Sequence, residues 1–434
     1  MKVESEEGNA RPNTGNVLPG RFHVRPFILQ LQVYGLAVIT LLTFFPRLFR
    51  FQERVFFLLL VVAIGFAWVE KIKPHVRTRL DIPLIAFMSW VLLTIPFAID
   101  PAYSFSEWRK FVASILVFYW AMFVLRVRAD EEPTRKILFV VVLGSLALSM
   151  FALEDFVSRG GSWRDRLVRA AAPSSDYNWL TTYFVLVIPI LIGWILTQSS
   201  RATRAVGLFS LATSMLAQVA AYTRAGWVAH FTQALGLLFI VRRQQLIVWI
   251  LIGVVLAGSL LITLSLIGFQ QETTDPWTFS ARVKTWRLGL QQVVEHPIVG
   301  AGFGNDTFSK VYAAEIEADK DKGQVEKVLP ALHNTFAMVL MGSGVPAFLL
   351  FVWIIVCALQ ELLAGVRVSD LRPSGPLVFR MAIALAVIGF VVRNIFDYMF
   401  AGSLATLFWI LVAIGLSFKA EQSLGRRGIE ASTH

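Results

Sequence analysis

The apolar residues of this chain are gathered into long blocks, not spread in the alternating or striped patterns of half-buried elements. Blocks of this kind suit a bilayer. About 20 apolar residues cross it as a helix, and in hydrocarbon every backbone polar group must be paired within the segment. They lie at 27–45, 55–69, 82–98, 111–125, 137–153, 180–196, 205–221, 227–241, 246–269, 344–363, 381–396 and 404–418. No window shows the ten-residue alternation of a membrane β-barrel. The expected fold is therefore an all-α polytopic membrane protein of about twelve transmembrane helices. With 56% apolar and only 16% charged residues among 434, the chain is not disordered and does not read as a soluble multidomain enzyme. Its single cysteine, Cys357, sits in an apolar run, which excludes a disulfide scaffold.

The distribution of Lys and Arg orients the spans. With both termini placed in the cytoplasm, inner segments hold 22 of the 40 basic residues. The outer segments hold 18, of which 7 lie in one long loop that the rule discounts, so the comparison is 22 against 11. The expected order is a cytoplasmic tail at 1–26, read as preceding a signal anchor with no cleavage site. Spans one to nine follow over 27–269, then a large outer loop at 270–332, spans ten to twelve over 333–418, and a cytoplasmic tail at 419–434. No fixed-period repeat and no inverted pair of broken spans is visible.

A loop of that length is expected to have internal structure or function. Ser280 is placed to cap a helix over 281–295, His296-Pro297 stops it, Gly300-Ala-Gly-Phe-Gly304 makes a tight turn, and 306–321 reads as a second helix. The three glycines have neither the preceding strand nor the following acid of a dinucleotide fingerprint, and they face away from the nucleotide pool. A plain turn is the reading favoured, with close approach to a lipid phosphate as the other. Asp319-Lys320-Asp321 has the form of a metal-binding acid pair, but flanking lysines favour a solvated helix face, and no metal is expected.

The chemistry concentrates in a few residues. His333 stands where the large loop re-enters the membrane, a position for a general base near neutral pH or for a helix-capping histidine. Arg224 lies in a short outer turn between apolar spans. Charge at membrane depth points to function, with snorkelling to headgroups as the alternative. Arg282 and Arg287 lie on the loop helix, one placed for a ligand and the other for an acid such as Glu295. Arg159 begins a basic group running to Arg169 in an outer loop, which topology leaves unexplained. Guanidinium groups bind phosphate oxygens bidentately. One histidine with several arginines at an outer lipid boundary suits a lipid-linked phosphate or pyrophosphate and transfer of the group it carries.

Ser280-Ala-Arg-Val-Lys-Thr-Trp286, Glu295-His-Pro-Ile-Val-Gly-Ala-Gly-Phe-Gly-Asn305, His333-Asn334 and Thr223-Arg-Ala-Gly226 together resemble the signature region of the O-antigen ligase superfamily. Asp176-Tyr-Asn178 is similar to a further element of that family. The resemblance implies a GT-C-like membrane glycosyltransferase architecture with one large periplasmic loop. It also implies metal-independent, inverting transfer of glycan from undecaprenyl pyrophosphate, without cofactor. By the matched positions His333 is the implied general base and Asn334 its motif neighbour. Arg224 and Arg282 are the implied pyrophosphate ligands, with Arg287 as a third. Relatives acting on proteins run on into a further domain, whereas 16 residues follow the last expected span here. The resemblance thus favours an O-antigen ligase of the bacterial inner membrane, with lipid A–core as acceptor. Its expected partners are these lipids and the membrane, with no nucleic acid and no nucleotide. A polysaccharide polymerase or protein O-oligosaccharyltransferase of the same superfamily is the alternative. A transporter of lipid-linked anions fits less well, because the spans lack buried acids lining a through-path.

Overall fold

The computed structural model describes residues 21–73, 75–127, 132–163, 168–174, 176–240, 277–319, 328–364, 366 and 375–432. Among them are fourteen α-helices, two short 3-10 turns and no strand. Eight helices come first: α1 (Arg21–Leu42), α2 (Phe49–Val69), α3 (Asp81–Thr94), α4 (Pro101–Val127), α5 (Glu132–Ser158), α6 (Tyr177–Thr197), α7 (Arg201–Ala220) and α8 (Arg224–Ile240). Then come α9 (Trp277–Glu295), α10 (Thr307–Val311), α11 (Ala313–Ala318), α12 (Thr335–Leu363), α13 (Pro376–Ile395) and α14 (Gly402–Ser432). The protein is an all-α polytopic membrane protein.

Helices α6 and α13 pack on each other at the centre and are buried on nearly every side, as helices apolar all round must be. Around them α4 pairs with α14, α5 with α7, α8 with α13 and α3 with α12. At the periphery α2 and α3 leave Leu58, Val61, Ile82 and Leu93 exposed, a surface suited to lipid. Where apolar attraction between helices is weak, small hydroxyl residues hold neighbours together. Ser145 Oγ meets Ser210 Oγ at 2.8 Å and Ser149 Oγ donates to Thr213 Oγ1 at 2.8 Å, both between α5 and α7.

Six helices among the described residues are long and apolar enough to cross a membrane, and three shorter apolar ones accompany them. The expected count of twelve is therefore not reached. Two physical causes are visible. Helix α3 gives way at Ile95–Phe97 to a 3-10 turn around Pro96, so its apolar run is short. Helix α7 begins with two arginines and turns Gly207, Ser210, Ser214 and Gln218 inward, which lowers its apolarity. The ninth expected span, 246–269, lies outside the described residues.

The loop segments differ from expectation in detail. Helix α9 begins at Trp277, ahead of Ser280, and Asp275-Pro276 just before it are helix-starting residue types. The second loop helix is two short ones broken at Tyr312, and 320–327 lie outside the described residues. Arg224 is the first residue of α8, directly after the short turn between α7 and α8. Asp319 is buried, and Lys284 Nζ donates to its Oδ2 at 2.7 Å, so it is not on a solvated face.

The glycine turn has a structural task. Helix α12 kinks at Ser343 and Gly344, ahead of Pro346. Proline has no N–H, so the carbonyl of Gly342 loses its helical donor. In the kink Ala301 N donates to Met341 O at 2.9 Å and Gly302 N to Gly342 O at 2.8 Å. Trp90 Nε1 donates to Ser343 O at 3.0 Å. The loop thus satisfies carbonyls that lipid would leave unpaired. Gly344 has φ +80 and ψ 179, and a Cβ there would stand 2.1 Å from Ile298 O. Gly344→Ala is therefore expected to destabilise the protein by about 3 kcal/mol or more, read as a lower unfolding midpoint in detergent.

Candidate functional site

The return of the large loop delivers His333, and helix α9 guides it. Asp319 Oδ2 accepts from Val328 N at 3.2 Å, and Thr285 Oγ1 accepts from Leu329 N at 3.0 Å. Trp286 Nε1 donates to Leu332 O at 2.8 Å. On the far side of the histidine, Thr335 N donates to Asp397 O at 3.2 Å and Thr335 Oγ1 to Asn394 Oδ1 at 2.6 Å. His333 is pinned from both directions and has φ +48, a left-handed backbone uncommon for any residue but glycine. Such conformations persist only where the surroundings over-determine them, and they cluster at functional sites.

The imidazole has a defined partner. His333 Nδ1 lies 3.0 Å from Asp397 Oδ1, and the histidine side chain remains 34% exposed while the aspartate is 9% exposed. Tyr398 N donates to the same carboxylate oxygen at 3.0 Å. Arg393 Nη2 is 3.5 Å from Asp397 Oδ2. Burial alone would raise the pKa of Asp397, but the hydrogen bond with His333 and the charge of Arg393 outweigh it, leaving the group below the usual aspartate range. Asp397 is therefore ionised at neutral pH, and an ionised carboxylate can only accept, so the hydrogen of this bond belongs to Nδ1.

Arg393 is fully buried near the end of α13. Its Nη2 donates to Asn178 Oδ1 at 2.9 Å, while its Nε and Nη1 lack a partner. Asn178 is held at the start of α6 by Asp176, whose Oδ1 accepts from Asn178 N at 2.7 Å. Burial raises the pKa of Asp176, with the nearby Asp397 charge adding to it. Arg282 lies close enough to Arg393 for their charges to act on each other, and its buried Nε has no partner. Two guanidinium groups, Arg282 and Arg393, thus share this neighbourhood with the Asp397 and Asp176 carboxyls, and their charges act on one another.

The remaining expected residues fall in different settings. Arg224 and Arg287 are exposed, and neither has a hydrogen bond or ion pair among the described residues. Arg224, as first residue of α8, also stands at a helix N-terminus, whose dipole favours anions. Asn334 caps α12, its Oδ1 accepting from Ala337 N at 3.0 Å. Arg159 pairs with Asp155 and donates to Arg169 O, while Asp155 Oδ2 accepts from Ala171 N at 3.1 Å. Its bonds thus staple one loop, and none of them reaches His333.

Asp397 and Arg393 were not singled out from sequence. The signal was available: two opposite charges four residues apart at the end of an apolar run, where charge is costly.

Residues 208–352 match the family model described as O-Antigen ligase. The matched stretch contains Arg224, Arg282, Arg287, His333 and Asn334, and ends before Arg393 and Asp397. No curated protein matches the chain. The match takes in the arginine- and histidine-bearing segments of this multi-pass helical protein, and over that stretch the chain is similar to the O-antigen ligase family.

Proposed function

We propose that the protein is an O-antigen ligase, moving glycan from undecaprenyl pyrophosphate to a sugar hydroxyl of lipid A–core. The reaction takes place on the periplasmic face of the bacterial inner membrane. The observation that carries the reading is the His333–Asp397 contact beside Arg393 and Arg282, each of which has a buried guanidinium nitrogen without a partner. Asp397 holds the proton on Nδ1, so Nε2 takes the proton of the acceptor hydroxyl. The hydroxyl oxygen forms its bond to the anomeric carbon as the bond to pyrophosphate breaks. A single displacement inverts that carbon. The charge gathering on the leaving pyrophosphate falls to Arg282, Arg224 and Arg287, donors that need no reorganisation if already in place. Asn334 supports the site's frame by capping α12. Positioning two large amphiphiles so that hydroxyl and carbon meet in line is the larger part of the catalysis.

The test is reconstitution with lipid-linked donor, with and without lipid A–core. Transfer that requires the core supports a ligase, whereas glycan growth without it identifies a polymerase. A peptide acceptor distinguishes the protein-directed members. The charge stabilisation is assigned to guanidinium groups, so EDTA is expected to leave the rate unchanged, and loss of activity restored by a divalent cation would refute that assignment.

A further inference from the structure

Helices α12 and α13 frame the His333–Asp397 dyad at one end, and at their other end they carry a second cluster of charge. Arg380 and Arg393 stand on the same helix, about 20 Å apart along it. The far end is the one that the distribution of Lys and Arg assigns to the cytoplasm. It has no part in the glycan transfer proposed above.

Three guanidinium groups gather there around Glu361. Arg79, just ahead of α3, has its Nε 3.0 Å from Glu361 Oε1. Arg380 is fully buried, and its Nη2 donates to Glu361 O and to Ala364 O, each at 2.8 Å. Those bonds close the C-terminal turn of α12. Arg126, in the last turn of α4, is half-buried and donates from Nη2 to Leu416 O at 3.4 Å. The charges of Arg126 and Arg380 both reach Glu361. Asp81, at the start of α3, is engaged with His75, Thr78 and Tyr119.

The cluster is not satisfied from within. Arg126 Nε, Arg380 Nε and Arg380 Nη1 are buried without a partner. Backbone carbonyls accept from Arg380 but neutralise none of its charge, and Glu361 offsets one positive charge of three. Buried charge left uncompensated is costly. Water would meet the open N–H groups and leave the charge. A phosphate meets both, because it brings several acceptor oxygens with its negative charge and matches the guanidinium fork. The cluster lies where α4, α12 and α13 end, the depth at which a bilayer presents phosphate headgroups. We propose that it binds the phosphate of an anionic lipid in the leaflet opposite the dyad. Arg126 and Arg380 are its ligands, and Arg79, with its side chain 65% exposed, stands at the entrance. Such a lipid ties the ends of α3, α4, α12 and α13 together.

The full chain in nonionic detergent is titrated with dioctanoyl phosphatidylglycerol, and bound lipid is counted by native mass spectrometry. Dioctanoyl glycerol, which has the chains without the phosphate, and inorganic phosphate, which lacks the chains, are titrated alongside. Phosphatidylglycerol is expected to bind at concentrations where neither of the others does, and to raise the unfolding midpoint. Arg126→Gln is expected to weaken its binding about tenfold, the effect of losing one hydrogen bond to a charged group. Glu361→Gln removes the competing negative charge and is expected to strengthen binding by a similar factor, which loss of a merely structural ion pair would not do. Arg201→Gln removes an exposed charge from the same end of the bundle and is expected to change little. Thermal unfolding without lipid shows that each variant is folded, and Arg126→Gln decides the matter even if Glu361→Gln is not. Equal binding of dioctanoyl glycerol or of inorganic phosphate overturns the proposal. So does unchanged binding in Arg126→Gln, weaker binding in a folded Glu361→Gln, or a loss in Arg201→Gln as large as that in Arg126→Gln.

Discussion

Replacing His333 is expected to lower the rate of glycan transfer by about 10²–10⁴-fold, the range supplied by a general base. The choice of substitution matters because His333 has φ +48. His333→Asn keeps a residue that tolerates left-handed backbone while removing the base, so a fall in kcat with an unchanged unfolding midpoint reports chemistry and not folding. Asp397→Asn is expected to lower kcat by a similar factor, because an amide no longer holds the imidazole in the tautomer that leaves Nε2 free. The two residues act as a unit, so the double variant should lose little more than the more damaged single one. Multiplied losses would mean that Asp397 does not work through His333. The comparison is made by initial rates in proteoliposomes, with donor and acceptor both saturating.

The second large effect concerns the arginines. Arg282→Ala and Arg224→Ala are each expected to reduce kcat by about 10²–10³-fold, the typical effect of losing one donor aimed at developing charge. Arg282→Lys should restore little of this, because an ammonium group lacks the planar fork that meets two phosphate oxygens. Arg287→Ala is expected to show the smallest change of the three. The measurement is single-turnover transfer with varied donor concentration, which separates donor binding from the chemical step. An Arg282→Lys protein with full kcat would remove bidentate binding from the account. Arg393 is a different case. It is fully buried and bonded to Asn178, so its removal would leave Asp397 without its neighbouring cation and register in stability as well as rate.

The membrane-spanning character and most of the helices were readable along the chain, because an apolar block in lipid has one way to satisfy its backbone and that rule acts locally. His333 and Arg224 drew attention for a similar reason, since a charged or titratable residue at the edge of such a block is costly enough to stand out, whereas Arg282 on the loop helix was singled out by the fit of guanidinium to phosphate and by the family resemblance. The count of spans was less secure, because a proline within α3 and inward-facing polar residues on α7 shorten an apolar run without ending the helix bundle.

Folding decided the partners. Asp397 is 64 residues from His333, and Asn178 is 215 from Arg393, so nothing in the local pattern joins them. The glycines of 300–304 read as a plain turn until the kink in α12 is seen to need donors for its carbonyls. Asp319 looks solvated until α9 places Lys284 over it. Local sequence reports what a segment costs in lipid or in water, and so which residues demand an explanation. It does not report which distant group meets that demand, because hydrogen bonds and ion pairs are settled by distance in space after the helices have packed.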